Sequence, residues 1–428
     1  MTGFLALLGL ARAGFTAPSF AIFTDLMTGW VCAPGRRTVT AMIRVADPAG
    51  RRAHDAYHRF LRDGTWSMPH LWTTLGVHLM QHLAPTGTIE LACDDTLLHH
   101  TGRHVHGAGT FRDAVASTIG KLVYARGLNL VVVTLTVHPP WGGTPIAVPV
   151  GARVHHKDDT ITTTGHARAI LAGIAGWFPE RTVHLVADGA YATLAGHRTP
   201  GIHLTSRMRR DAALYDPAPP RTGKRGRPRT KGKRLLTPAA MSTTVPAADW
   251  DTIEADNRGT TITRLVYLRD VLWYRLNPTD LVRLVIVRDP AGREPDDYFF
   301  TTDLTATAAT IVNRYATRWA IEVCFRDVKQ HLGAQNPQTW KRQGPERAAA
   351  LSLWLHAATW TWYLTHHPEG TTWTPRPWYP NKTTPSFQDA LAALRKALWT
   401  PRITTTSPPE HDTPQITELI LDTLAYAA

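Results

Sequence analysis

The sequence predicts an α/β protein, a mixed sheet with helical crossovers and flanking helices. Three observations carry that reading. Apolar residues recur at helical spacing from residue 1 to about 85. Strand-like runs then alternate with helical ones over 86–206. Finally, β-rich runs between 235 and 302 precede a long helical segment around 307–333.

Taken in order, "FAIFTDLMTGWV" and "LWTTLGVHLMQHL" give the early helices. "TIELACDD" alternates and then turns apolar, which predicts a strand ending in two aspartates. "LNLVVVTLTV" and "TPIAVPVGARV" are further strands, joined by the turn-like "HPPWGG". "TTGHARAILAGIAGWF" is a helix, "TVHLVADGAY" a strand ending in an aspartate, and "GIHLTS" a short strand. "TITRLVYL", "LVRLVIV" and "DYFFTT" supply later strands, and "ERAAALSLWLHAATWTWYL" a second long helix. The tail is rich in Pro and Thr, with one clear helix at "SFQDALAALRKALW" whose Ser386 and Asp389 resemble a capping box. There is no internal repeat. The expected divisions are 1–85 (helical), 86–206 (strands with helical crossovers), 207–302 (a basic arm and β-rich run), 303–366 (two long helical segments) and 367–428 (the tail).

Lys and Arg number 47 against 34 acids, a net charge of +13, in a chain of otherwise ordinary globular composition. That balance suits a polyanion, nucleic acid before an acidic membrane. Cys32, Cys93 and Cys324 are too few and too scattered for a disulfide framework or a zinc knuckle, which points to a reducing cytoplasm. The opening "MTGFLALLGLARAGF" lacks a charged n-region, so a core helix is expected there instead of a secretion signal. No run approaches the ~18 apolar residues of a membrane span.

"YATRWAIEVCFRDVK" concentrates the chemistry. On one helix, Tyr315, Arg318, Glu322 and Lys329 fall within an arc of roughly 60°. Ile321, Phe325, Val328 and Leu332 form a neighbouring apolar stripe. A salt-bridged surface would explain the stripe, since Glu322 has Arg318 and Arg326 four residues away. Two further carboxylates at predicted strand ends, Asp94 and Asp188, argue for more. Three carboxylates brought together repel one another unless they hold divalent cations through oxygen. A pair of such ions can clamp the attacking and leaving oxygens of a phosphodiester. Each aspartate could equally be a turn or cap residue. Successive strand residues point to opposite faces, so one of Asp94 and Asp95 enters the site, and Asp94 is the expected one.

Tyr-x2-Arg-x3-Glu-x6-Lys, with "ACDDT" and "VADGAY" before it in that order, resembles the signature of a branch of the DDE transposases encoded by bacterial insertion sequences. The match runs from about 88 to 333, and it implies that 86–206 and 303–366 are the two parts of a catalytic core, 207–302 an insertion domain and 1–85 a DNA-binding domain. The resemblance implies an RNase H-like fold interrupted by a mostly β insertion, with Asp94, Asp188 and Glu322 holding two Mg²⁺ ions for which Mn²⁺ can substitute. It implies that Tyr315, Arg318 and Lys329 contact DNA near the transposon end. In hairpin-forming relatives an insertion-domain aromatic stacks on a flipped base, and Tyr298 is the candidate here, with packing inside a strand as its other role. The expected activity is cleavage of double-stranded DNA at transposon ends and joining of the freed 3′-hydroxyls to target DNA, by a homodimer on DNA in the bacterial cytoplasm and nucleoid. A metal-dependent nuclease without strand transfer and a non-catalytic DNA-binding descendant are the alternatives.

Between Arg207 and Arg234 stand eleven Arg or Lys and two acids. Within that arm "RGRP" (Arg225, Arg227, with Arg229 following) is the kernel of minor-groove hooks. His99, His100, His104 and His106 cluster without partner cysteines, so loop structure or DNA contact is expected there instead of a metal. Trp354, Trp360 and Trp362 recur at helical spacing, as core residues do.

Overall fold

GPERAAALSLWLHAATWTWYLTH, helix α10 (Gly344–His366), has apolar side chains on every side, and such a helix can only be buried. In the computed structural model every residue from Arg347 to Leu364 is buried. The structure describes residues 3–197, 199–220, 229–257, 259–406 and 414–427. The chain divides into two compact units, 1–85 with 95–163 and 322–428, and 86–94 with 164–321.

In the first unit α10 packs against α1 (Gly3–Gly9), α4 (His54–Asp63), α5 (Met68–Leu83), α11 (Phe387–Thr406) and strand β4 (Ile146–His155). The expected core helix at the start is α1, whose Phe4 and Leu8 are fully buried. α2 (Ala17–Cys32) packs on α3 (Val39–Ala46) and α11. Buried hydroxyls on α10 would cost free energy unpaired. Ser352, Thr359 and Thr361 donate to carbonyls of their own helix, and the Trp354 indole donates to the Leu71 carbonyl at 3.1 Å. Arg347 donates to the carbonyls of Leu61, Gly64 and Trp66, satisfying the end of α4. Ser386 and Asp389 do form a cap, in altered form. The Asp389 carboxylate accepts from both the Ser386 N–H and its hydroxyl.

The same unit contains the antiparallel strands β2 (Gly109–Arg112), β3 (Tyr124–Val137) and β4. The C-terminal half of β1 (Ile89–His99) lies beside β3, where Gly127 leaves room for the Leu98 carbonyl. The strand therefore continues past the two aspartates, contrary to the expected ending, because Thr96, Leu97 and Leu98 bury as well. The tail holds a second helix, α12 (Pro414–Ala425), which the Pro/Thr-rich composition concealed. It packs on α11, and the buried Arg395 donates to the carbonyls of Val31, Ala425 and Ala427. All three cysteines are buried and none is in a disulfide. Trp354, Trp360 and Trp362 are buried, as their spacing required.

In the second unit, the first half of β1, β5 (Val183–Ala187) and β6 (Ile202–Arg207) run parallel, with α6 (Thr163–Trp177) in the crossover. Beyond β6 the sheet turns antiparallel through β10 (Asp297–Thr301), β9 (Val282–Arg288), β8 (Thr260–Val271) and β7 (Asp251–Asn257). The β-rich run thus extends the sheet of β5 and β6 through the β6–β10 pairing. A short helix α7 (Pro238–Thr244) precedes β7. Helix α8 (Ala308–Thr317) covers the sheet, with Ile311 buried against Val266, Val285, Val287 and Phe299. Val285 and Val287 are two apart on β9 and so share a face.

The long helix expected over 307–333 is two helices. α8 ends at Thr317 and α9 (Trp319–Gln330) begins after Arg318. The Arg318 N–H donates to the Tyr315 carbonyl and the Ile321 N–H to the Arg318 carbonyl, both i→i−3 bonds, so the backbone tightens to 3₁₀ geometry there. The single arc of four signature residues is broken at that point, Tyr315 on α8 and Glu322 on α9. The apolar stripe Ile321, Phe325, Val328 and Leu332 is buried throughout.

Candidate active site

The parallel strands fix the first constellation. Cys93 pairs with Ala187 and Ala187 with Ser206. The next residue on each strand is Asp94, Asp188 and Arg207. Residues in register on neighbouring strands share a face, and strands lie about 4.8 Å apart. β5 is VHLVA, buried along its whole length, which holds that register firmly.

Arg318 donates to Asp94 Oδ2 at 2.9 Å, in a pair largely shielded from water. Asp188 caps the 3₁₀ turn Gly189–Gly196, Oδ1 accepting from the Ala190 N–H at 2.9 Å, while its carbonyl accepts from the Ser206 hydroxyl. The cap role weighed for this residue is therefore real, and it orients the carboxylate. Asp95 is exposed. Tyr315 is half-buried, its ring 4.4 Å from that of Phe299. The guanidiniums of Arg318 and Arg207 lie 5.7 Å and 5.9 Å from the same ring. Burial pushes the Tyr315 phenol up, against the pull of the two arginines, so it stays a neutral donor at pH 7.

Arg207 was not among the expected site residues. It stands in register beside Asp188, is ion-paired with Asp297 and reaches over Phe299. A sequence signal existed: Arg207 closes the "GIHLTSR" strand and opens the basic arm.

Glu322 stands in the first turn of α9, where a carboxylate complements the helix dipole, and Lys329 in its last turn. These two belong to the first unit and are described there. Burial pushes the Lys329 ammonium down, opposed by Asp113. Asp113 accepts from the Val115 and Ala116 N–H groups and is paired with His99 at 2.8 Å. His99, the last residue of β1, is thus tied to a carboxylate. Tyr298 lies on β10, half-buried, with its hydroxyl 3.3 Å from that of Ser242. Arg229 is exposed, and Arg225 and Arg227 lie outside the described residues. Among the described residues no helix is long and apolar enough to cross a membrane.

The profile of the DDE superfamily endonucleases matches residues 13–275, more than half of the chain. The chain belongs to the DDE superfamily endonucleases. A second profile, of the archaeal ISC1217 transposase, matches residues 272–355, and the two together mark a DDE transposase of insertion-sequence type. No curated protein matches. A solved piggyBac transposase, in a synaptic complex with hairpin DNA, is similar over 96% of this chain and 76% of its own, at 9% identity and a TM-score of 0.40.

DDE superfamily enzymes use divalent metals. The donors offered at Asp94 and Asp188 are oxygens, which suit a hard cation. The Arg318 guanidinium on Asp94 shows that a positive charge is already accommodated there.

Proposed function

We propose that this DDE transposase cuts DNA at transposon ends by metal-dependent phosphodiester hydrolysis and joins the 3′-hydroxyl ends to target DNA. The observation that carries the reading is the register of β1 and β5, which sets Asp94 beside Asp188 with a cation already on Asp94. Asp94, Asp188 and Glu322 would hold two Mg²⁺ ions, or Mn²⁺ in their place. When bound, such a pair lowers the pKa of the attacking water or sugar hydroxyl and neutralises charge developing on the phosphate.

The chain's own residues supply the rest. Arg318 offers a planar fork and Lys329 a point charge to phosphate oxygens, and Tyr315 a neutral hydroxyl. Hydrolysis forms a bond from water oxygen to phosphorus and releases the 3′-hydroxyl. In joining, that hydroxyl attacks a target phosphate, a new P–O3′ bond forms, and the target's own 3′-oxygen leaves with a proton. Two ends must meet, so a homodimer on DNA is the working form. Phosphate contacts position the duplex without reading sequence.

Asp94→Ala, Asp188→Ala and Glu322→Ala should each cut cleavage by more than about a hundredfold, since losing even a metal ligand's hydrogen-bond partner costs 10–100-fold. DNA binding should persist. The assay combines labelled element ends, a supercoiled target and Mg²⁺. Cleaved ends that never join the target would make this a nuclease alone. Full activity in any one variant would remove that residue from the site.

A further inference from the structure

The segment from Asp113 to Tyr124, "DAVASTIGKLVY", is folded inside out. It links β2 to β3 as a ribbon beyond their paired Arg112 and Tyr124. Asp113 and Ser117 turn inward. Asp113 Oδ1 accepts from the Val115 and Ala116 N–H groups, and the Ser117 hydroxyl accepts from the Val123 N–H while the Ser117 N–H donates to the Asp113 carbonyl. Thr118 and Lys121 pair across the tip, which puts Ile119 at the apex. The apolar side chains turn outward, Val115 at 88%, Ile119 at 111% and Leu122 at 59% of full exposure. Water is an expensive neighbour for three large apolar groups on an ordered ribbon.

Charge says what covers them. Exposed Lys121 lies on the ribbon, exposed Arg112 at its base on β2, and Arg103 on the preceding loop. From 101 to 126 the only acid is Asp113, buried and paired with His99. A second copy of this chain would bring the same cations to meet these. A duplex brings phosphates for the arginines and lysine and stacked base steps for the aliphatic tip. Proteins that bend DNA insert Leu, Ile and similar wedges between such steps. At the ribbon's base the Asp113 carboxylate also favours the charged form of the Lys329 ammonium.

We propose that residues 113–124 are a DNA-wedging ribbon, in which Ile119 and Leu122, with Val115, enter between base steps while Arg112 and Lys121 hold the flanking phosphates. The proposal rests on the transposase reading for its DNA partner and adds a deformation of the duplex that the signature residues do not supply.

The test uses the full chain and a duplex from the element end, taken from the flank of the coding sequence, with 2-aminopurine at successive positions. Emission should rise at one or two neighbouring steps on binding. The V115S/I119S/L122S variant should lose that rise and bind about tenfold more weakly, with its salt slope unchanged, because the lost contacts are apolar. The R112A/K121A variant should lower the salt slope by about 1 per side chain. An unchanged melting midpoint shows that each variant is folded. A serine variant that binds and brightens like the wild type overturns the wedge. So does wild-type binding without brightening at any step, and in that case the transposase reading stands. A serine variant that binds single ends normally but fails to pair them makes the ribbon a protein contact. If the wild type binds no duplex at all, both readings fall.

Discussion

Arg318 sits on Asp94, with its nitrogen 2.9 Å from one carboxylate oxygen. A residue expected to hold DNA thus pairs with a carboxylate expected to hold the metal. Replacing Arg318 with Ala removes that competing cation. Mn²⁺ binding, followed by electron paramagnetic resonance, should tighten by about tenfold, the loss of one charge-assisted hydrogen bond. Cleavage should nonetheless fall, because the phosphate loses its planar partner. Unchanged Mn²⁺ affinity would show that the pair does not compete. Arg318→Lys should not restore cleavage fully, since an ammonium cannot offer two parallel donors.

At the scale of elements, what could be read from the chain depended on whether the deciding contact was local. α10 was legible because an all-round apolar helix announces its own burial. Asp94 and Asp188 were legible as neighbours of strands, and Ile321, Phe325, Val328 and Leu332 as one buried face. The break at Arg318 was not, since neither Gly nor Pro marks it. Nor was the continuation of β1 to His99, which is decided by β3 alongside, nor the β6–β10 pairing that carries the β-rich run onto the parallel strands. Arg207 ends a legible strand, but its place beside Asp188 is set by the β5–β6 register. Gly127 shows how tightly β1 is gripped: a Cβ there would lie 2.2 Å from the Leu98 carbonyl oxygen. Gly127→Ala should therefore destabilise the fold by about 1–3 kcal/mol, the usual cost of overpacking. Urea denaturation measures it, and a change under about 0.5 kcal/mol would mean the strands part without strain.

At the scale of the whole molecule, each compact unit holds a histidine that burial keeps neutral. His184, hydrogen-bonded to Thr205 at 2.8 Å, is pushed down to about 4 by burial and by Arg314. His356 is pushed down to about 3 by burial and by His331. Unfolded, each takes up a proton near pH 6.5, so the unfolded state binds more protons below that pH. Stability is unaffected by these groups above pH 6.5 and falls as acid is added, until the folded pKa values are passed. Between pH 6.5 and 5 the loss should be about 2 kcal/mol apiece. Urea midpoints at the two pH values measure the sum, and His184→Gln should remove its share while keeping a donor for Thr205. A flat profile would mean that water reaches both rings.

The burial of every native thiol has a practical corollary. Cys32, Cys93 and Cys324 are at most 3% exposed, and burial holds the Cys32 thiol up at about 11 and raises that of Cys324 as well. A maleimide dye at neutral pH therefore finds almost no native thiolate to react with. A cysteine introduced at an exposed position would take the label nearly alone, with no need to strip the others first. Fluorescent reporters can thus be placed site by site on an otherwise unaltered chain, and its encounters watched one particle at a time.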